Sequence, residues 1–288
     1  MKCMMWCTLA AFLALPAAAL PSSTSAPAVQ DKSDGLDPWL NKYCISFFNK
    51  ARSAKILPVG RWQVSMKYQE FDMDQKEKYQ GHYNSMPSGR YKDQDKWTLC
   101  IKYGWIKDHQ IAVGIPYCDN RFNYGSVLNN SSGVGNIFIF DKWSILKETN
   151  NFPAVSVDFW YYFPSGDPGR MLGTDDDAYK VTTEVSKAWK DFSLHLNPGY
   201  KWDKKDGNNN ETELNAAILF TSMKTLWPAI EYNYLYKEDA GHSQDILPGL
   251  IWKYRKGGSI KAALQINVDS TFSYRDRVGL MFSISQHF

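Results

Sequence analysis

Alternation of apolar and polar side chains begins after Gly60 and recurs to the end of the chain. Trp62, Val64, Met66 and Tyr68 alternate with Gln63, Ser65, Lys67 and Gln69. Trp97, Leu99, Ile101, Tyr103 and Trp105 repeat the pattern, as do Ile111, Val113, Ile115 and Tyr117. A period of two marks a strand with one apolar face. Further sets follow at 137–143, 155–163, 179–185, 192–200, 214–220, 230–236, 247–251, 260–268 and 280–288, which makes twelve. Two are blurred: Phe138 and Phe140 interrupt the fourth, and Leu250 and Trp252 obscure the facing of the tenth.

The connections carry independent information. Long stretches at 72–93, 118–133, 164–177, 203–210 and 237–244 alternate with short ones at 106–109, 147–152, 187–191, 222–225 and 255–258. Long extracellular loops alternating with short periplasmic turns, over an even strand count, predict an antiparallel transmembrane β-barrel of about 12 strands. A soluble sandwich has no reason to keep that parity. No run after residue 20 approaches the ~18 apolar residues of a membrane helix, so closure is the remaining way to satisfy backbone groups in lipid. The last strand has Leu280, Phe282, Ile284 and Phe288 on one face and resembles the closing signal of bacterial outer-membrane barrels, departing from it at Gln286.

Before the barrel the pattern differs. Lys2, an apolar run from Cys3 to Leu20, Pro16 and Ala17-Ala18-Ala19 describe a secretory signal peptide over 1–19. Residues 20–58 read as a linker followed by a helix, and 59–288 as the barrel. Asp37 and Pro38 supply an N-cap and a first-turn proline. Trp39, Leu40, Tyr43, Cys44, Phe47, Phe48 and Ala51 then recur at helical spacing, predicting a short amphipathic helix over 37–51. Packing in the barrel mouth, lying at the membrane interface and binding a periplasmic partner are all open to it.

Composition agrees with a barrel. Aromatics make up 15% of the chain, including 11 Trp, yet mean hydropathy is −0.44. Strands with one lipid face, one polar lumen face and aromatic girdles give that combination. Net charge is +3, too small to imply nucleic acid. Of five Cys, Cys44, Cys100 and Cys118 lie beyond the signal. A hairpin centred near His109 would set Cys100 opposite Cys118, and an oxidising periplasm would join them. No Cys/His spacing suggests a metal, and no cofactor motif is present.

With the apolar sets facing lipid, the lumen is lined by Lys67, Lys102, Asp158, Lys180, Glu184, His195, Glu213, Asn215, Glu231, Asn233, Lys261, Gln265 and Asn267. Four Lys stand against one Asp and three Glu, which makes a wet, charge-balanced interior: a salt-bridged wall or a solute path. Ser193, His195 and Asn197 share a strand face, but i,i+2 residues start about 6.6 Å apart, so the set reads as structural rather than catalytic. Asp175, Asp176 and Asp177, with Asp167, read as a solvated acidic loop, with cation-bridged lipopolysaccharide as the other reading.

Short motifs then add a resemblance. Gly133-Val134-Gly135-Asn136-Ile137, Phe163-Pro164-Ser165-Gly166-Asp167, His195-Leu196-Asn197-Pro198-Gly199-Tyr200, Leu247-Pro248-Gly249 and terminal Phe288 are similar to the outer-membrane transporter family of the phenol-degradation meta-pathway. Asn136 stands where that family more often has Asp. The resemblance covers a little over half of the chain and supplies no catalytic residues.

The expectation is a non-enzymatic barrel in the bacterial outer membrane, passing small solutes without energy coupling, with hydrophobic or aromatic compounds among those the resemblance implies. Its implied partners are membrane lipid and lipopolysaccharide, the barrel-assembly machinery and the solute. The rivals are an outer-membrane phospholipase-type enzyme and a structural barrel that recruits a periplasmic partner through the 37–51 helix.

Overall fold

The computed structural model describes residues 47–79, 82–85, 90–124, 128–203, 210–238, 241–271, 274–276 and 278–288. Fifteen strands run in chain order: β1 (Trp62–Tyr79), β2 (His82–Ser85), β3 (Arg90–Ile106), β4 (His109–Tyr124), β5 (Leu128–Val134), β6 (Phe138–Leu146), β7 (Ala154–Tyr162) and β8 (Ala178–Ala188). They continue with β9 (Phe192–Asp203), β10 (Glu211–Phe220), β11 (Leu226–Lys237), β12 (Gly241–Arg255), β13 (Gly258–Ser270), β14 (Tyr274–Asp276) and β15 (Val278–His287).

Twelve of these close a ring. From β6 to β13 each strand pairs antiparallel with its sequence neighbours, β13 pairs β15, β15 pairs β1, β1 pairs β3, β3 pairs β4 and β4 pairs β6. The seam runs from Gln63 opposite His287 to Glu70 opposite Leu280. Closure leaves no open edge, so the ladder consumes the backbone donors and acceptors along the ring.

The twelve strands invert the polarity of a soluble protein. Along β8 the inward positions Ala178, Lys180, Thr182, Glu184, Ser186 and Ala188 are all buried. Lys142, Asp158, Asn197 and Glu231 are likewise buried. The outward positions are apolar and exposed, among them Ile111, Val113, Ile115, Leu194, Leu196, Ile230, Leu264 and Ile266. A continuous exposed apolar belt has no counterpart on ordinary soluble monomers and matches the lipid band of a membrane barrel.

Three sequence expectations change. The stretches 72–93 and 118–133, read as loops, are largely strand. β1 continues to Tyr79, β3 starts at Arg90, β4 reaches Tyr124, and β2, β5 and β14 pair beside them. In sequence these extensions are dominated by Asp, Lys, Gln, Asn and Tyr, so apolar alternation could not reveal them.

The short N-terminal helix is not present among the described residues. Residues 47–51 are irregular, and the amides of residues 48–51 donate to the Glu231 carboxylate rather than to carbonyls one turn back. The remainder of the expected helix, 37–46, lies outside the described residues. Among the described residues the one helical turn is the 3-10 turn Pro168–Arg170.

Cys100 and Cys118 are not disulfide-bonded. The β3–β4 turn lies at Lys107 and Asp108, where Asp108 adopts φ 63°, so Cys100 faces Gly114 and Cys118 faces Lys96. A four-residue offset is roughly 13 Å along a strand, beyond the ~7 Å Cα limit for a bridge. The expected hairpin centre was displaced by two residues.

On the closing strand, Leu280 is exposed and Phe282 half-buried, while Ile284, between Ile260 and Met66 in register, is buried. Gln286 has a local use: its side-chain oxygen accepts from Arg255 Nε at 2.6 Å and Tyr254 Oη at 3.3 Å, tying the strand end to β12.

Candidate functional site

The barrel interior is occupied by residues 47–58, which with the barrel belong to one compact unit. Every anchor of this strap is an inward-facing side chain. Glu231 on β11 accepts from the amides of Phe48 (2.8 Å), Asn49 (2.9 Å), Lys50 (2.6 Å) and Ala51 (3.0 Å), and the Phe47 amide closes the loop on Ala51 O at 2.9 Å. Successive amides converging on one carboxylate form an anion nest whose anion is a side chain of the same protein.

Farther along, Arg52 N donates to Asn197 Oδ1 at 2.7 Å, and Asn197 Nδ2 returns a bond to Arg52 O at 3.0 Å. Ala54 N meets Ser186 Oγ at 2.8 Å, and Leu57 N meets Gln110 Oε1 at 2.9 Å. The strap thus passes β11, β9, β8 and β4 before reaching the rim. There Pro58 O lies so near Gly104 that a Cβ at 104 would sit 2.1 Å from it. Only glycine admits that approach.

Charge is matched residue by residue. Arg52 Nη1 lies 2.6 Å from Asp158 and its Nε 3.1 Å from Glu184, with the guanidinium 4.5 Å from the Trp160 ring centroid. Lys142 bridges Ser53 O and Glu184. Glu213 takes Lys50 at 3.0 Å and Lys180 at 2.5 Å. Burial alone would lower the Lys50 pKa, but Glu213 and Glu211 outweigh it and raise the value above 10.5. Removing one partner of such a buried pair costs about 3–5 kcal/mol, because the other charge is stranded.

The opposite side of the strap is apolar. Phe47, Phe48 and Ala51 pack into a buried cluster with Leu219, Trp227, Leu247, Ile251 and Met281. At Gly249 a Cβ would lie 2.6 Å from Phe48 Cζ, so a motif glycine makes room for the strap.

Each sequence-derived lumen residue can now be located. Asp158, Lys180, Glu184, Glu213 and Glu231 converge on the strap and its ion pairs. Lys102, Asn215, Asn233, Lys261, Gln265 and Asn267 are buried on inward faces of β3, β10, β11 and β13. Lys67 is half-buried and reaches Asn49 O at 3.5 Å.

His195 is buried between two hydroxyls, Ser193 Oγ at 2.9 Å and Ser186 Oγ at 2.8 Å, with Phe47 packed 4.5 Å away between ring centroids. Ser193 and His195 therefore do meet, because the imidazole leans along the strand. Asn197 is committed to Arg52 and neither ring nitrogen faces a carboxylate, so the trio lacks the orienting partner of a nucleophile–base pair. In the acidic loop, Asp167 accepts from Arg170 N at 3.3 Å and Asp177 from Tyr161 Oη at 2.7 Å.

Lys50 escaped the sequence reading because it lies in the stretch read as a helix, and Arg52 because it lies just past that stretch and before the first alternating strand. Lys142 escaped because Phe138 and Phe140 blurred its strand. The motif residues also meet: Asn136 Oδ1 accepts from Gly166 N at 3.0 Å, and Ile137 N donates to Ser165 Oγ at 2.8 Å, so two separate motifs build one corner.

No protein-family model and no curated protein matches this chain. Solved structures do. An outer membrane channel from Pseudomonas putida F1 superposes with a TM-score of 0.67 at 14% identity, covering 82% of this chain and 98% of that one. The translocator domain of the autotransporter NalP from Neisseria meningitidis gives 0.50 at 7% identity, covering 80% and 88%. Both likenesses are of fold: a closed antiparallel barrel.

Proposed function

We propose that this chain is a passive outer-membrane channel for small solutes whose lumen is narrowed by the 47–58 strap. The observation that carries this reading is the inverted barrel: an apolar outer belt around a closed wall of acidic, basic and amide side chains. A wall built only to be packed would not need buried Lys142, Asp158, Glu184 and Glu231. The strap supplies counter-charges to part of that wall and narrows the path.

The finer parts of the proposal rest on narrower grounds. Hydrophobic or aromatic solutes are favoured by the motifs shared with the phenol-degradation family and by the interior Phe138, Phe140, Trp160 and Tyr162 ladder, whose neighbouring rings lie 4.1–6.1 Å apart. An outer-membrane address follows from the belt and the signal-like first 19 residues. Lipid and lipopolysaccharide around the belt, and the assembly machinery reading the terminal strand, complete the proposed surroundings.

Proteoliposome swelling tests the reading. Refolded protein is expected to admit small sugars and small aromatic alcohols faster than protein-free liposomes do. Swelling rates equal to those of empty liposomes for every solute would remove it.

A further inference from the structure

Lumen lysines fall into two kinds. Lys50, Lys142, Lys180 and Lys201 each meet a carboxylate within ion-pair distance. Lys67 on β1 and Lys96 on β3 meet none among the described residues, and Lys67 has only the Asn49 carbonyl at 3.5 Å. Both point inward, sharing the faces of Gln69 and Thr98.

The residues that face them in register are neutral, and the charges that bear on them from farther off are the cations Lys50 and Lys201 and the Glu231 carboxylate, which the strap amides already hold. In register Lys67 faces Thr98 and Ser283, while Lys96 faces Gln69 and Cys118. Along their own strands the next inward residues are Ser65, Gln69, Gln94 and Thr98. The two lysines are diagonal neighbours across the β1–β3 pair, which places their backbones roughly 7–8 Å apart. Two half-buried ammonium groups on one stretch of wall, with no carboxylate within ion-pair distance among the described residues, repel each other, and an anion between them relieves that repulsion.

We propose that Lys67 and Lys96 form an anion station in the lumen wall, taking chloride or the carboxylate of a small organic acid. An ammonium is a compact point charge with three donors and no preferred fork geometry, so it suits a small anion rather than a planar bidentate one. The neutral Gln69 and Thr98 side chains leave the charge undiminished. At Lys50, Lys142, Lys180 and Lys201 the lumen neutralises itself pair by pair, and here it does not. The station gives an otherwise balanced lumen a local preference for negative solutes.

The test is the linewidth of the chloride-35 resonance, with the folded protein in uncharged detergent micelles. Wild type is expected to broaden the line saturably, with acetate at equal concentration narrowing it by competition. Lys67→Gln with Lys96→Gln is expected to lose most of that broadening, and Lys67→Arg with Lys96→Arg to keep it. Heat-modifiable electrophoretic migration verifies that each variant is a folded barrel. Should the glutamine pair be unstable, Lys96→Gln alone is expected to remove about half of the broadening. Broadening that the glutamine variants retain, or that acetate leaves unchanged, overturns the proposal. The inference shares with the channel reading the need for a hydrated lumen, but not conduction. A protein that broadens the chloride line and passes no solute sinks the channel and leaves the station standing.

Discussion

Replacing Glu231 by Gln should release the strap while leaving the barrel closed. The carboxylate accepts four strap amides, two on each oxygen. Glutamine keeps one oxygen and presents an NH2 group to the other two amides, which then face a donor. Hydrogen bonds to a charged group contribute about 1.5–3 kcal/mol each, so losing two weakens the strap's hold by roughly 3–6 kcal/mol. At about 1.4 kcal/mol per tenfold, the released population rises on the order of 10²–10⁴-fold. Lys50, Arg52 and Lys55 make the strap a trypsin substrate only when it leaves the lumen. The expected result is cleavage after Lys50 or Arg52 in E231Q, identified by fragment mass, at a rate where wild type stays intact. Equal cleavage rates in two folded barrels would refute the clamp.

Three further outcomes follow from the same contacts. Arg52→Ala strands Asp158 and leaves Glu184 to Lys142 alone, so thermal unfolding followed by electrophoretic shift should reveal a loss of about 3–5 kcal/mol, with Arg52→Lys restoring only part because an ammonium does not span both carboxylates as a fork; an unchanged midpoint contradicts this. Gly249→Val drives methyl groups towards Phe48 and Ala262 O, and the overpacking should cost about 1–3 kcal/mol and speed strap cleavage; wild-type stability and cleavage would count against the packing. Alkylation after denaturation without reductant should label both Cys100 and Cys118, whereas a cross-linked peptide joining them would contradict the register.

The barrel was legible because its physics is local: Ile111, Val113 and Ile115 face out while Ala112, Gly114 and Pro116 face in. The short 106–109 connection was legible too, but pairing Cys100 with Cys118 needed a hairpin centred on His109, and the turn at Lys107 and Asp108 sets the two cysteines four residues out of register. The strap was misread because Phe47, Phe48 and Ala51 satisfy a helical spacing, yet their partners are supplied by Glu231, some 180 residues later. Nothing local distinguishes an amphipathic helix from a segment whose amides find a distant carboxylate. The polar extensions of β1, β3 and β4 were invisible for the opposite reason, as outside lipid neither face needs to be apolar. The ion pairs of Arg52 depend on closure, which brings β7 and β8 to a residue more than a hundred positions earlier in the chain.

Single-channel recording in planar bilayers tests the central claim most directly. Wild type is expected to give small conductance steps, and the Glu231→Gln, Arg52→Ala double variant larger ones as the strap leaves the lumen. A folded barrel that gives no steps in either form, or steps of equal size in both, would contradict a channel narrowed by residues 47–58.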